Sequence, residues 1–373
     1  MLYPTELNLL NSVTAHIPTS QKIKSIHKVI TKKFSFIHRV SVVTYDQKLD
    51  LVKTYVESSD ETNPLTYYSA KLSETKSLQE IALTGKPRIV NDLSIFSKNH
   101  KKHSKALYEC GYQSSYTAPL YQDKTLLGFV YFNSRNLDAF QASEISYLNL
   151  IVQIISLLII KKQAQFKTLQ AALKSALIMS EQRDPETAEH LERMARYSRL
   201  IAKNIALDHH WDDEQVELIF MCAPLHDLGK IAIPDNILRK PGKLTDDEFE
   251  QMKTHTTSGR QLIDSLLTNF DLEHIPFRSM LTNIIELHHE SLDGSGYPHG
   301  LCRSEIPIEA RIIAVADIFD ALTSKRTYKK AWTNEEAFTE LRKLATWKLD
   351  AKCVEALYKS HKEVQAIQAT FRD

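Results

Sequence analysis

Glycine is scarce in this chain, with nine residues among 373, against roughly 7% in an average protein. That scarcity excludes a flexible glycine linker or a collagen-like segment, and it gives weight to any place where glycines gather. The four cysteines, Cys110, Cys222, Cys302 and Cys353, show no paired spacing. No disulfide framework or zinc knuckle can be read from them, and such usage fits a reducing cytosol. Neither sign of charge dominates. The net charge of +1 implies no polyanionic partner, so DNA is not expected, and the basic run at 98–105 reads as a solvated loop. Long apolar runs are missing as well. The most apolar stretch, 145–160, contains Asn149, Gln153 and Ser156 and falls short of the about 20 residues of a membrane span. The first residues, Met-Leu-Tyr-Pro-Thr-Glu, carry neither a basic nor an apolar leader region. A soluble, cytoplasmic protein away from the membrane is expected, long enough for two domains.

The glycines that are present concentrate in one place: Gly294, Gly296 and Gly300 fall within seven positions. A chain so sparing with glycine gathers it where the backbone turns sharply or approaches something closely. Directly before this cluster stand two adjacent histidines, in His288-His289-Glu-Ser-Leu-Asp293-Gly-Ser-Gly-Tyr297-Pro298. Further upstream stands His226-Asp227-Leu-Gly-Lys230.

Residues 7–34 carry helical apolar spacing. Short β-branched runs follow at 40–45, 51–56, 88–90, 115–120 and 128–133, with a helical pattern at 77–84. This mixture predicts an α+β domain on an antiparallel sheet over 1–140. Nothing breaks a helix over 141–182. Within it Leu148, Val152, Ile155, Ile159, Lys162, Phe166, Leu169, Leu173, Ala176 and Ser180 alternate spacings of four and three. That is the period of a coiled-coil seam and predicts a parallel homodimer. The competing reading is an amphipathic helix lying on its own sheet over 148–159. Residues 183–373 read as all-helical, with Thr245-Asp-Asp-Glu248 as a capping box and Asp184-Pro185 as an N-cap followed by proline.

Several chemically able residues lie on these helices. Asp317 sits in the apolar segment 312–319, where a carboxylate needs a partner. Glu186 and His190 are four apart and share a helix face. His255 is placed on the helix that Thr245 caps. Each has an ordinary explanation as a cap or packing residue. Taken with His226, Asp227, His288 and His289, they are five histidines and three carboxylates able to converge on a metal site. Imidazole and carboxylate without thiolate suit iron or manganese better than structural zinc. Divalent ions would leave a surplus of positive charge that complements a phosphodiester.

Two resemblances complete the reading. Thr117-Ala-Pro-Leu120, Leu127-Gly-Phe-Val-Tyr-Phe-Asn-Ser134 and then Phe140 resemble the C-terminal half of a GAF sensor domain, with no residue that identifies its ligand. His226-Asp227 with Lys230, the 288–298 string, and Arg183-Asp184-Pro-Glu-Thr187-Ala-Glu-His190 are similar to the HD-GYP subgroup of HD phosphohydrolases. Leu292 stands where that subgroup often has an aromatic residue. The resemblance implies an all-α phosphodiesterase domain at 183–373, joined to the GAF-like domain at 1–140 by a connecting helix at 141–182. Its substrate would be cyclic di-GMP, opened to pGpG or cut to GMP, or 3′,3′-cyclic GMP-AMP. It implies that His226, Asp227, His255, His288, His289 and Asp317 ligate metal, with Glu186 and His190 adding a third ion, so two or three divalent ions, Fe or Mn. Asp227 and Lys230 are the candidate catalytic pair. Lys230, Gly294, Gly296, Tyr297, Pro298, Arg326 and Lys329 are the candidate substrate contacts, and Asp293 shapes the loop. A silent nucleotide- or partner-binding module and a hydrolase of another phosphate ester remain as alternatives. The intact ligand set argues against the first and the glycine loop against the second.

Overall fold

The computed structural model describes residues 13–59, 65, 67–96, 102–179, 187–324 and 331–372; the side chains of 102–104, 106, 165–167, 169–170 and 172–179 are not described. The chain divides into two compact units, Met1–Gln165 with Asp212–Glu214, and Phe166–Trp211 with Gln215–Asp373.

The first unit is built on a six-stranded sheet of β1 (Arg39–Asp46), β2 (Leu51–Ser59), β3 (Ser69–Lys71), β4 (Arg88–Val90), β5 (Ser114–Gln122) and β6 (Thr125–Ser134). The order is β3-β2-β1-β6-β5-β4, and every neighbouring pair is antiparallel. Alternation along the strands gives each face its own core. Val40, Val42, Tyr116, Val130 and Phe132 pack with Ile23, Ile26 and Ile30 of α1 (Thr19–Lys33) and with one side of α4 (Ala142–Met179). Val43, Val52, Phe129 and Tyr131 turn the other way, against Leu72 and against Ile81 of α2 (Lys76–Thr84). The described residues of this unit also form α3 (Lys102–Glu109). These are the strands and the helix at 77–84 that the sequence pattern predicts, with β3 in addition; its three residues are too few to show a period. Helix α3 is a correction, since it occupies residues 102–105 of the basic run expected to be a solvated loop, and residues 98–101 lie outside the described residues.

Two further expectations change here. The helical spacing over 7–34 is interrupted: Val13 and Thr14 are helical, residues 15–18 are not, and α1 starts at Thr19 with Pro18 as its N-cap, while residues 7–12 lie outside the described residues. Proline cannot donate within a helix, and its ring disfavours helical backbone at the residue before it. The stripe Leu148, Val152, Ile155 and Ile159 is buried in this unit's own core, so that part of the proposed dimer seam is the alternative reading, a helix on its own sheet. The opposite side of α4 exposes Leu150 at 53% and Leu157 at 66%. The rest of the expected seam, from Phe166 on, lies outside the described side chains. The apolar stretch is also longer than its 145–160 core. Ala142–Ala164, with mean hydropathy 1.8, is long and apolar enough to cross a membrane by length and composition. A core helix passes the same test, and six of its apolar side chains are core residues here.

The second unit is helical: α5 (Ala188–Ile205), α6 (Asp213–Cys222, whose first two residues are counted with the first unit), α7 (Asp235–Leu238), α8 (Asp246–Lys253), α9 (His255–Asn269), α10 (Arg278–Leu287), α11 (Ile308–Thr323), α12 (Asn334–Leu344), α13 (Ala351–Lys359) and α14 (His361–Thr370). Helix α5 packs against α11 and α13, with the Tyr197 and Phe319 rings edge to face at 5.2 Å. Ile284, Ile285, Ile312 and Ile313 are fully buried. These contacts fix the helices from which the polar residues of the site project.

Candidate metal centre

His226 and Asp227 do not lie in a continuing helix, although the apolar spacing of Val216, Ile219, Phe220 and Ala223 places them late in one. Helix α6 stops at Cys222, and two 3-10 turns, Ala223–Leu225 and Leu228–Ala232, bracket the pair. Pro224 lies in the first turn of this bend. The second turn presses onto the start of α9. A Cβ on Gly229 would stand 1.7 Å from the His255 carbonyl oxygen and 2.4 Å from the Gly259 nitrogen. Only glycine permits that approach, which brings the His226-Asp227 bend to His255. The capping box at Thr245 is formed, but it caps α8, which ends at Lys253; His255 opens the next helix. His288 closes α10 and His289 follows it. His190 lies in the first turn of α5, where the Thr187 hydroxyl accepts its backbone N–H at 3.1 Å. The start expected at Asp184-Pro185 lies outside the described residues.

Two ligand groups result. Asp227, His255, His288 and His289 form one, and His190, His226 and Asp317 the other; within each, one ligand atom per residue lies within 4.8 Å of the rest. Six of the eight expected ligands are therefore gathered as the resemblance implies, with His190 as a seventh. Glu186 lies outside the described residues, as do Arg326 and Lys329.

The hydrogen bonds reveal what the imidazoles can do. Nδ1 of His226 meets the Ala223 carbonyl at 2.9 Å, Nδ1 of His255 the Met252 carbonyl at 2.8 Å, and Nδ1 of His288 the Ile284 carbonyl at 3.0 Å. A carbonyl can only accept, so each Nδ1 carries the proton and each Nε2 keeps its lone pair in the neutral ring. Those Nε2 atoms face a carboxylate. His226 Nε2 is 3.1 Å from Asp227 Oδ2, and His255 Nε2 is 3.2 Å from Asp227 Oδ1. The Nε2 atoms of His255 and His288 and Oδ1 of Asp227 are buried and make no hydrogen bond. Acceptors crowded against acceptors are costly unless a cation lies among them. The donor set thus fits a metal.

The electrostatics agree. Burial opposes ionisation of Asp227, yet the Lys230 ammonium, 2.8 Å from Oδ2, leads the interactions that outweigh it and hold the carboxyl well below its usual range. Burial lowers the pKa of His288, and burial with the neighbouring His288 holds His289 well below the ordinary histidine value. Ionised carboxylate and neutral imidazole are the ligating forms.

Sequence reasoning misses two residues here. Asp320, one turn beyond Asp317, accepts from His190 Nδ1 at 2.8 Å and from Arg193 Nε at 2.7 Å. The carboxylate fixes the His190 tautomer so that Nε2 remains the ligand atom. Arg193 is buried with it and also bonds the Phe371 carbonyl at 3.0 Å.

The glycine loop lies beside the ligands. Tyr297 stacks on the His289 ring at 4.7 Å and 30°; burial pushes its phenol well up. Its bond to Pro298 is cis. Gly296 passes so close to the chain that a Cβ would meet the Ser291 nitrogen at 2.3 Å and the Glu290 Cα at 2.5 Å. The buried Glu290 carboxylate accepts backbone N–H groups from His299 at 2.7 Å and Leu301 at 2.9 Å. Asp293 accepts from the Ser295 N–H and hydroxyl, and Gly294 adjoins the Asp293–Cys302 bridge.

Residues 184–353 match the family profile described as HD domain. The cyclic di-GMP phosphodiesterase response regulator RpfG of Xanthomonas campestris pv. campestris (strain 8004) is 44% identical over 192 residues, covering 51% of this chain and 48% of its own. A cyclic di-GMP phosphodiesterase of Thermotoga maritima is 42% identical over 196 residues, covering 52% and 50%. The 3'3'-cGAMP-specific phosphodiesterase 2 of Vibrio cholerae is 38% identical over 193 residues, covering 52% and 35%. The chain spans about half the length, or less, of these curated relatives. Among solved structures, the GAF domain of an Acinetobacter phosphoenolpyruvate-protein phosphotransferase matches 44% of this chain and 98% of its own, with 14% identity and a TM-score of 0.34.

Proposed function

We propose that this chain, which carries an HD domain over residues 184–353, is a metal-dependent phosphodiesterase that opens a cyclic dinucleotide. The observation that carries this reading is the set of imidazoles whose Nδ1 protons are committed outward while the Nε2 atoms of His226, His255 and His288 crowd Asp227, with Asp317 grouped beside His190 and His226. His226, Asp227, His255, His288, His289 and Asp317 would hold two divalent ions, and Glu186 with His190 a third. The absence of thiolate from the set favours Fe or Mn. When bound, such ions lower the pKa of water and polarise phosphoryl oxygens.

The chain's own groups supply the rest. Asp227 stays ionised between the two ligand groups. Lys230 compensates its charge and, 20% exposed, offers an ammonium to a phosphate oxygen. Glu290 and Gly296 hold Tyr297 beside the ligands, where the loop limits water and shapes the substrate edge. Arg326 and Lys329 are assigned to phosphate or guanine. Cyclic di-GMP and 3′,3′-cyclic GMP-AMP are the proposed substrates, since relatives named for each are 44% and 38% identical to this chain over 192 and 193 residues.

Residues 1–140 are read as a GAF-like sensor, 141–182 as the connecting helix and 183–373 as the phosphodiesterase domain. The exposed Leu150 and Leu157, seven residues apart on α4, support a parallel homodimer through that face. Four free cysteines support a cytoplasmic location. Product analysis with both dinucleotides on Fe- or Mn-loaded protein tests the reading. Linear dinucleotide or mononucleotide should form. Metal-loaded, folded protein that leaves both substrates intact overturns it.

A further inference from the structure

Helix α8 (Asp246–Lys253) buries none of its residues, and among its acidic and amide side chains stands Phe249, 46% exposed. A lone exposed phenyl ring is ordinary. This one lies at the rim of the candidate metal centre. Its centroid is 6.4 Å from the Tyr297 ring, edge on at 82°, and Tyr297 in turn stacks on His289. The two steps of 4.7 and 6.4 Å bound the His289–Phe249 ring separation to about 11 Å. That span is within reach of a base joined through its ribose to a phosphate at the ligands. Lys253, one turn along α8, places Nζ 5.1 Å from the Phe249 centroid and 5.7 Å from that of Tyr297. Its partner is Glu250 at 2.6 Å, a carboxylate 69% exposed, and such surface pairs are weak enough to be exchanged.

Resting on the phosphodiesterase reading, we infer that Phe249 is a stacking platform for one purine base of the substrate, with Lys253 as the cation at the edge of that base. The phenyl ring offers a π-face to any base. An ammonium beside it suits the O6 and N7 acceptors of guanine, whereas adenine presents an amino group at the same edge. The pair therefore favours guanine at this position. Both residues touch the substrate by its base and neither touches the reacting phosphate, so their effect falls on KM.

Steady-state kinetics of the full-length, Mn-loaded chain on cyclic di-GMP test this, with metal content measured alongside. Phe249→Ala should raise KM roughly 5- to 150-fold, the range of one lost base–aromatic stack. Its kcat should stay within about two-fold of wild type and its metal content unchanged, and Phe249→Tyr should restore KM. Lys253→Met should raise KM and reduce the preference for a guanine at this position, read as the cyclic di-GMP to cyclic di-AMP ratio of kcat/KM. An active wild type with an unaltered KM in Phe249→Ala overturns the platform alone. So does a Phe249→Ala variant that loses metal or kcat without a change in KM. A wild type that hydrolyses neither cyclic di-GMP nor cyclic GMP-AMP overturns the phosphodiesterase reading, and the platform with it.

Discussion

Burial alone would raise the pKa of Asp320, but hydrogen bonds from His190 and Arg193 outweigh it and hold the carboxyl below its ordinary value. A folded value below the unfolded one, about 3.9, means that ionisation stabilises the fold. That contribution is complete above the unfolded pKa and is lost as pH falls through the folded one. In metal-free protein, Asp320→Asn should therefore lower Tm at pH 7, and the gap to wild type should narrow below about pH 4. A gap independent of pH, followed by calorimetry, would contradict the ionised pairing. Asp320→Ala strands the buried Arg193, a change that costs about 3–5 kcal/mol, and it should also weaken metal binding at His190. The residues of the centre were unequally legible in the sequence. His226-Asp227 and His288-His289 announce themselves as adjacent pairs; His255 and Asp317 stand out by their place on helices, and their ligand role enters through family resemblance. Asp320 and Arg193 do not announce themselves. A spacing of three from Asp317 and His190 places each on its neighbour's helix face, but nothing in the spacing says that the two faces meet.

The 288–302 loop and α4 show what period and composition convey about elements. Three glycines in a glycine-poor chain mark the loop, and its tightest approach is at Gly296. Gly296→Ala puts a methyl group against backbone atoms of Glu290 and Ser291 that cannot rotate away. Overpacking of this kind costs about 1–3 kcal/mol. The expected outcome is a lower Tm and reduced turnover as Tyr297 leaves His289, both read on one purified sample. Normal turnover in that variant would mean that the loop's fit does not position the site. Helix α4 shows the opposite case. Over Leu148–Ile159 the 3.5-residue period of a dimer seam and the 3.6-residue period of a helix on a sheet diverge by only about 20° per heptad. The same residues satisfy both, and only the partner surface decides. Here it is the sheet core. The His226-Asp227 bend illustrates a third limit. The apolar spacing of Val216, Ile219, Phe220 and Ala223 does not show that the helix ends at Cys222, just before Pro224.

For the molecule as a whole, the exposed side of α4 is the place where a second copy is proposed. Sedimentation at micromolar concentration should give a dimer, and Leu150→Glu with Leu157→Glu should give a folded monomer. A wild-type monomer, or a double variant that remains dimeric, removes that interface. Leu148→Glu differs, since it places a charge in a core and should unfold the first unit. The central claim, that histidines and carboxylates of the helical unit hold the ions needed for phosphodiester hydrolysis, has a more direct test. Full-length protein stripped with chelator is assayed on cyclic di-GMP before and after Mn(II) or Fe(II) is returned, with wild type and Asp227→Asn side by side. Stripped wild type should be inactive, metal should restore linear or mononucleotide product, and Asp227→Asn should stay folded and inactive with less metal bound. Full hydrolysis by stripped protein, or wild-type turnover by Asp227→Asn, would contradict the account.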